Sequence, residues 1–173
     1  MEETGRTATP LVLQSGELWE APPCTTRVAP PFDPSTWRLV VSGAVRRPVA
    51  LDYAGLLAMP RYDEVGALRC GHGITIDGLA WEGVAVRDVL ALAKPEPQAT
   101  QLVVHFGADT LAIPLADVVD HPALLAYRLN DRPLTLEHGA PFRLVIPHLR
   151  ARFSVKWVDG LELAAASKPD PAA

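Results

Sequence analysis

Between Trp37 and Leu163 short apolar runs follow one another without a regular alternation of strand and helix, and this pattern constrains the fold more than any other feature. Strand-forming residues gather in Trp37–Val41, Tyr62–Cys70, Gln101–Phe106, Thr110–Ile113, Leu124–Leu129, Phe142–Ile146 and Ser154–Leu163. Gly43 with Arg46, Arg47 and Pro48 marks a turn into a second short strand. Only Val84–Lys94 has a clear helical period, with Val86, Val89, Leu90 and Ala93 on one face and Pro95 past its end. Asp52 is a suitable N-cap for a shorter helix over Tyr53–Met59, stopped by Pro60. Strands that outnumber helices in no strict order predict a mixed α+β domain rather than a doubly wound parallel sheet.

Before this region, Pro10, Pro22, Pro23, Pro30, Pro31 and Pro34 forbid regular helix and remove donors that a central strand needs. Residues 1–36 are therefore expected to form an extended arm, 37–163 the domain and 164–173 a flexible tail. A chain of 173 residues is long enough for one core without disulfides. With 49% hydrophobic and 21% charged residues it fits neither a disordered nor a membrane class. No apolar run reaches the roughly 20 residues of a membrane span, and the polar start lacks a secretory apolar stretch, so the expected location is cytoplasmic. A formal charge of −4 argues against a nucleic-acid partner, which calls for a basic stripe.

Three places carry candidate chemistry. Cys70 ends a strand and is followed by Gly71, His72 and Gly73, whose two glycines let a large ligand approach the sulfur. On these residues alone Cys70 is either a small core residue or a soft thiolate ligand for a polarisable metal. The second place is His138 to Pro147, where Arg143 follows Pro141 by two positions. It is either an ordinary strand arginine or a planar fork for phosphate oxygens or a heterocycle edge. The third is Arg150 to Trp157, where Ser154 and Lys156 would share a strand face and line one anion site with Arg143, or form a basic edge that discourages aggregation. A cysteine nucleophile with His72 or His138 as base is a further reading. Cys70 and His72 make only one candidate pair for zinc, and no phosphate-binding glycine loop or nucleophile elbow is present.

Taken in order, these segments resemble the oxidoreductase molybdopterin-binding domain family, which includes sulfite oxidase and the methionine sulfoxide reductase catalytic subunit. The resemblance runs over residues 32–163. It rests on Phe32 to Leu39 with Gly43, on Cys70 followed eleven residues later by the turn Trp81-Glu82-Gly83-Val84, on Leu124 to Tyr127 with Pro133-Leu134 and Glu137 to Arg143, and on Val155-Lys156-Trp157. It implies a mixed-sheet, sulfite-oxidase-type fold in which Cys70 and a pterin dithiolene hold molybdenum, and two-electron oxygen-atom transfer at that metal. By the same resemblance His138, Arg143, Ser154, Val155 and Lys156 contact the molybdenum-molybdopterin cofactor, and Thr75 is counted with them. Thr75 also stands where sulfite oxidases carry an arginine that grips sulfite, which points away from sulfite as substrate. Arg150 and Arg152 are the substitutes for that charge, and Arg27 is a candidate pterin contact in the arm. The implied partners are a small-molecule substrate and a separate electron-transfer protein. A domain that keeps the fold but works as a binding module is the alternative, supported by the altered loop after Cys70.

Overall fold

The computed structural model describes residues 11–13, 27–69, 74–150 and 153–165. Among the described residues eleven strands form two mixed sheets, accompanied by three short α-helices, as the uneven succession of apolar runs predicts. In one sheet, β2 (Arg38–Gly43) pairs antiparallel with β3 (Val49–Asp52) and parallel with β11 (Gly160–Ala164). β11 in turn pairs with β6 (Gln101–Phe106), and β6 with β7 (Asp109–Pro114), both antiparallel.

The other sheet is organised around β5 (Ile74–Ala85), which lies antiparallel to β4 (Arg61–Arg69). β5 also pairs parallel with β1 (Leu11–Leu13) through Ile74–Ile76 and antiparallel with β8 (Leu124–Leu129) through Trp81–Ala85. β8 continues the sheet to β10 (Arg143–Val145) and to the two-residue β9 (Arg132–Pro133). Thus Leu11–Leu13, within the expected arm, is a strand on this sheet.

Two apolar clusters flank β8. Leu125 and Leu144 join Leu39, Val41, Leu102 and Leu161 in the larger one, completed by Val86, Val89, Leu90 and Ala93 of helix α2 (Val86–Ala93). Leu124, Ala126 and Val145 face the opposite side with Trp81, Leu79 and Ile76. Buried on both faces, the first half of β8, Leu124–Ala126, reads as a continuous apolar run rather than an alternation. Helix α1 (Tyr53–Leu57) starts as expected, the Asp52 carboxylate accepting from Gly55 N at 2.7 Å. Helix α3 (Ala116–Val119) has too short a period to be read from sequence.

Three sequence expectations are corrected. The helix begins at Val86, because Val84 and Ala85 are still laddered to Leu125 and Leu124 as the end of β5. Trp81 to Val84 is not a turn but a stretch of β5 whose register against β8 shifts between Glu82 and Gly83. A Cβ on Gly83 would lie 2.3 Å from Leu125 O, so only glycine lets β8 come this close. Finally, Ser154–Leu163 is not one strand: β11 starts at Gly160. Upstream, Trp157 takes φ +59°, and the N–H groups of Trp157, Val158 and Asp159 donate to Gly139, Phe142 and His105, three separate elements that cannot form one ladder.

Candidate cofactor site

The turn after β9 is built by Thr135, whose extended backbone and hydroxyl cap a single 3-10 turn over Leu136–His138. The hydroxyl accepts from His138 N at 3.3 Å and lies 2.8 Å from His138 Nδ1. Gly139 follows with φ +114°, then a cis Ala140–Pro141 bond, and Phe142, which is fully buried. The rings of Trp37 and Tyr53 stand 5.2 and 5.8 Å from that of Phe142, which pins the end of the turn to the core.

Three side chains then clasp the turn through its own carbonyls. Arg143 Nη1 donates to His138 O at 3.2 Å, Lys156 Nζ to Glu137 O at 2.5 Å, and Trp157 Nε1 to Leu136 O at 2.6 Å. Backbone bonds hold the 154–158 segment in place, Leu144 N donating to Val155 O at 2.8 Å and Val158 N to Phe142 O at 3.0 Å. Arg143 shares a face of β10 with Val145, opposite the small Ala126 of β8, and its guanidinium lies 5.4 Å from the Trp81 ring centroid. Arg143 is 5% exposed and His138 7%. The other buried charge, Glu82 at 8%, is neutralised by Arg61 and Arg128, each at 3.3 Å.

The structure therefore brings His138, Arg143 and Lys156 onto one turn, with Ser154 and Val155 half-buried on the segment that crosses it. It does so through an irregular segment and not through the strand alternation expected of Ser154 and Lys156. Thr75 lies apart, toward the other end of β5 from Trp81, where it pairs with Val12 of β1 and Arg69 of β4. Arg27 is at the β6–β7 hairpin, 2.8 Å from Asp109 and stacked on Phe106, and Arg150 is exposed. Cys70 and His72, between β4 and β5 in the sequence, lie outside the described residues, as do Cys24 and Arg152. Thr135, Trp81 and Trp157 were not singled out in the sequence as parts of the site. A threonine ahead of Glu137 and His138 carries the N-cap signal that marks Thr135.

Among known proteins, the family described as oxidoreductase molybdopterin binding domain matches residues 26–172. An uncharacterized oxidoreductase of Bacillus subtilis, YuiH, is 34% identical over 79% of this chain and 70% of its own length. Human mitochondrial sulfite oxidase is 33% identical over 75% of this chain but only 29% of its own. The protein-methionine-sulfoxide reductase catalytic subunit MsrP of Gluconobacter oxydans is 27% identical over 80% of this chain and 50% of its own. The crystal structure of the sulfane dehydrogenase SoxCD from Paracoccus pantotrophus superposes with a TM-score of 0.69 at 26% identity, covering 81% of this chain and 41% of that one. This chain thus spans half or less of several larger relatives. Among the described residues no helix is long and apolar enough to cross a membrane.

Proposed function

Because the chain belongs to the oxidoreductase molybdopterin binding domain family, we propose that it is a molybdenum-dependent oxidoreductase that binds a molybdopterin, with the Cys70 thiolate as the protein ligand to the metal. The observation that carries this reading is the convergence of His138, Arg143 and Lys156 on the turn that ends at Pro141. Their chemistry fits the group: a planar guanidinium fork, an ammonium and an imidazole suit the phosphate and polar ring edges of a pterin. Gly139 keeps room between the two cations, since a Cβ there would fall 3.0 Å from Arg143 Cβ and 3.2 Å from Lys156 Cβ.

The bound centre supplies two-electron oxygen-atom transfer. The chain's own residues do the rest. Trp81 and the His138 carbonyl hold the Arg143 guanidinium in one orientation, so its charge is set before the cofactor arrives. Lys156 does the same from the other side of the turn, and Ser154 and Val155 offer a hydroxyl and backbone groups beside it. Thr75, five positions after Cys70 in the sequence and apart from the turn, would stand toward the metal rather than the pterin and bring no charge there, and a separate electron-transfer protein exchanges the electrons.

An uncharged Thr75 favours a neutral oxygen donor or acceptor, such as a sulfoxide, over sulfite. A dianion in a partly desolvated pocket needs fixed positive charge, and losing one such contact costs ~2–4 kcal/mol of transition-state stabilisation. Steady-state turnover of sulfite and of neutral sulfoxides by molybdenum-loaded protein, with artificial electron carriers, tests this. Faster turnover of a sulfoxide is expected; sulfite oxidation with kcat/KM in the range ~10⁴–10⁸ M⁻¹s⁻¹ would contradict it.

A further inference from the structure

Away from the turn at 135–141, two metal-ligating side chains four residues apart meet a third from a later turn at the surface. Asp117 is in the first turn of α3, His121 follows that helix, and His148 stands in the turn after β10. One ligand atom from each lies within 4.8 Å of the others. Asp117 Oδ1 is 3.7 Å from His148 Nε2, and the two imidazole centroids are 4.4 Å apart.

We propose that Asp117, His121 and His148 form a mononuclear site for a late first-row divalent cation, zinc foremost. A tetrahedral ion with bonds of ~2.0–2.2 Å spaces its ligand atoms about 3.4 Å apart. The Asp117–His148 separation is already near that value, and every pair, being within 4.8 Å, is within about 1.4 Å of it. Two imidazoles and one carboxylate select zinc, copper or nickel over magnesium or calcium, which prefer oxygen.

The backbone under each ligand is fixed by the larger apolar cluster. Val118, next to Asp117, is fully buried, and Ala123, two residues past His121, is buried and accepts from Val86 N at 2.9 Å. Ile146, two residues before His148, is buried and closes the turn by accepting from Leu149 N at 3.0 Å. Pro122 and Pro147 stiffen the two histidine segments. The ligand atoms are thus presented by two anchored segments while both histidines stay exposed, which gives an ion a path in. His121 also borders a groove lined by Tyr62, Glu64 and Arg87, so there is solvent beside it for the ion's remaining ligand. A bare Asp117–His148 ion pair accounts for less, since it leaves the approach of His121 unexplained and an exposed pair contributes little.

The test is zinc binding to the full-length chain after chelator treatment, by competition with a chromophoric chelator, alongside the cobalt absorption spectrum. The wild type is expected to bind one equivalent that is weakened at least about tenfold in H121A/H148A and in D117N, while H105A, away from the cluster, binds like the wild type. The same cobalt site is expected to survive C70S and to show no thiolate charge-transfer band. Zinc should raise the melting temperature of the wild type and of H105A but not of H121A/H148A. Failure of the wild type to bind, unchanged binding in both cluster variants, or loss of the equivalent in C70S would each overturn the proposal. Should the double variant not fold, D117N alone, which keeps both imidazoles and changes one surface oxygen, decides the question.

Discussion

A guanidinium that is 5% exposed needs compensation, and Arg143 finds part of it in the His138 carbonyl and the Trp81 ring. Charge-assisted hydrogen bonds of this kind contribute ~1.5–3 kcal/mol each. Replacement by methionine keeps the volume beside Trp81 and removes only the charge and its donors. Arg143→Met is expected to purify with less pterin than the wild type and to unfold at lower urea, the second effect within ~1–3 kcal/mol. Lys156→Met is half-buried and is expected to lose pterin with a smaller effect on stability. Pterin content and urea midpoints measured on both variants check this. Wild-type pterin content in both, resistant to high salt, would mean that the two cations serve the turn alone.

Among elements, β5 and β8 decide the packing. Gly83 sits where a Cβ would meet Leu125 O at 2.3 Å, whereas Gly78, at φ +68°, has open space around it. Gly83→Ala is expected to destabilise by ~3 kcal/mol through overpacking, and Gly78→Ala by about 1 kcal/mol through backbone strain alone. Equal melting temperatures for the two would remove the close approach of β8 from the account. β8 makes a second prediction. Leu124 and Leu125 point to opposite sides yet both are buried, so each alanine variant should lose ~2–5 kcal/mol in urea unfolding, where a strand with one solvated face would tolerate one of them.

The same elements explain what the sequence could convey. β6 and β8 coincide with their expected bounds because compact runs of strand formers end at turn residues. β5 was not expected, since Thr75, Asp77 and Gly78 break its apolar pattern and its pairing with β4 and β8 supplies the order that local propensity lacks. The 154–159 segment looked like a strand because its residues alternate. Its donors are claimed instead by Gly139, Phe142 and His105, partners remote in sequence. Arg143, His138 and Lys156 were legible as residues, but the clasp they make needs the positive φ of Trp157 and the 3-10 turn, which no local pattern announces. The cluster of Asp117, His121 and His148 was invisible for a like reason: Asp117 and His121 are four residues apart, but His148 joins them only through the turn after β10.

For the whole molecule, two sheets share one large core, and the turn at 135–141 runs into β10, which pairs with the part of β8 that is buried on both faces. The chain covers 70% of YuiH and smaller shares of human sulfite oxidase and of MsrP, so family membership carries the domain and not those whole proteins' reactions. The proposed function joins that turn to a metal held by Cys70. The most direct measurement is molybdenum and pterin content of the chain produced in a host that assembles the cofactor, for the wild type, Cys24→Ser and Cys70→Ser. One molybdenum and one pterin per chain are expected in the wild type and in Cys24→Ser, and an altered metal absorption spectrum with loss of molybdenum in Cys70→Ser, whose hydroxyl is a poor soft-metal ligand. A wild type that carries neither metal nor pterin, or a Cys70→Ser variant with unchanged molybdenum and spectrum, would contradict it.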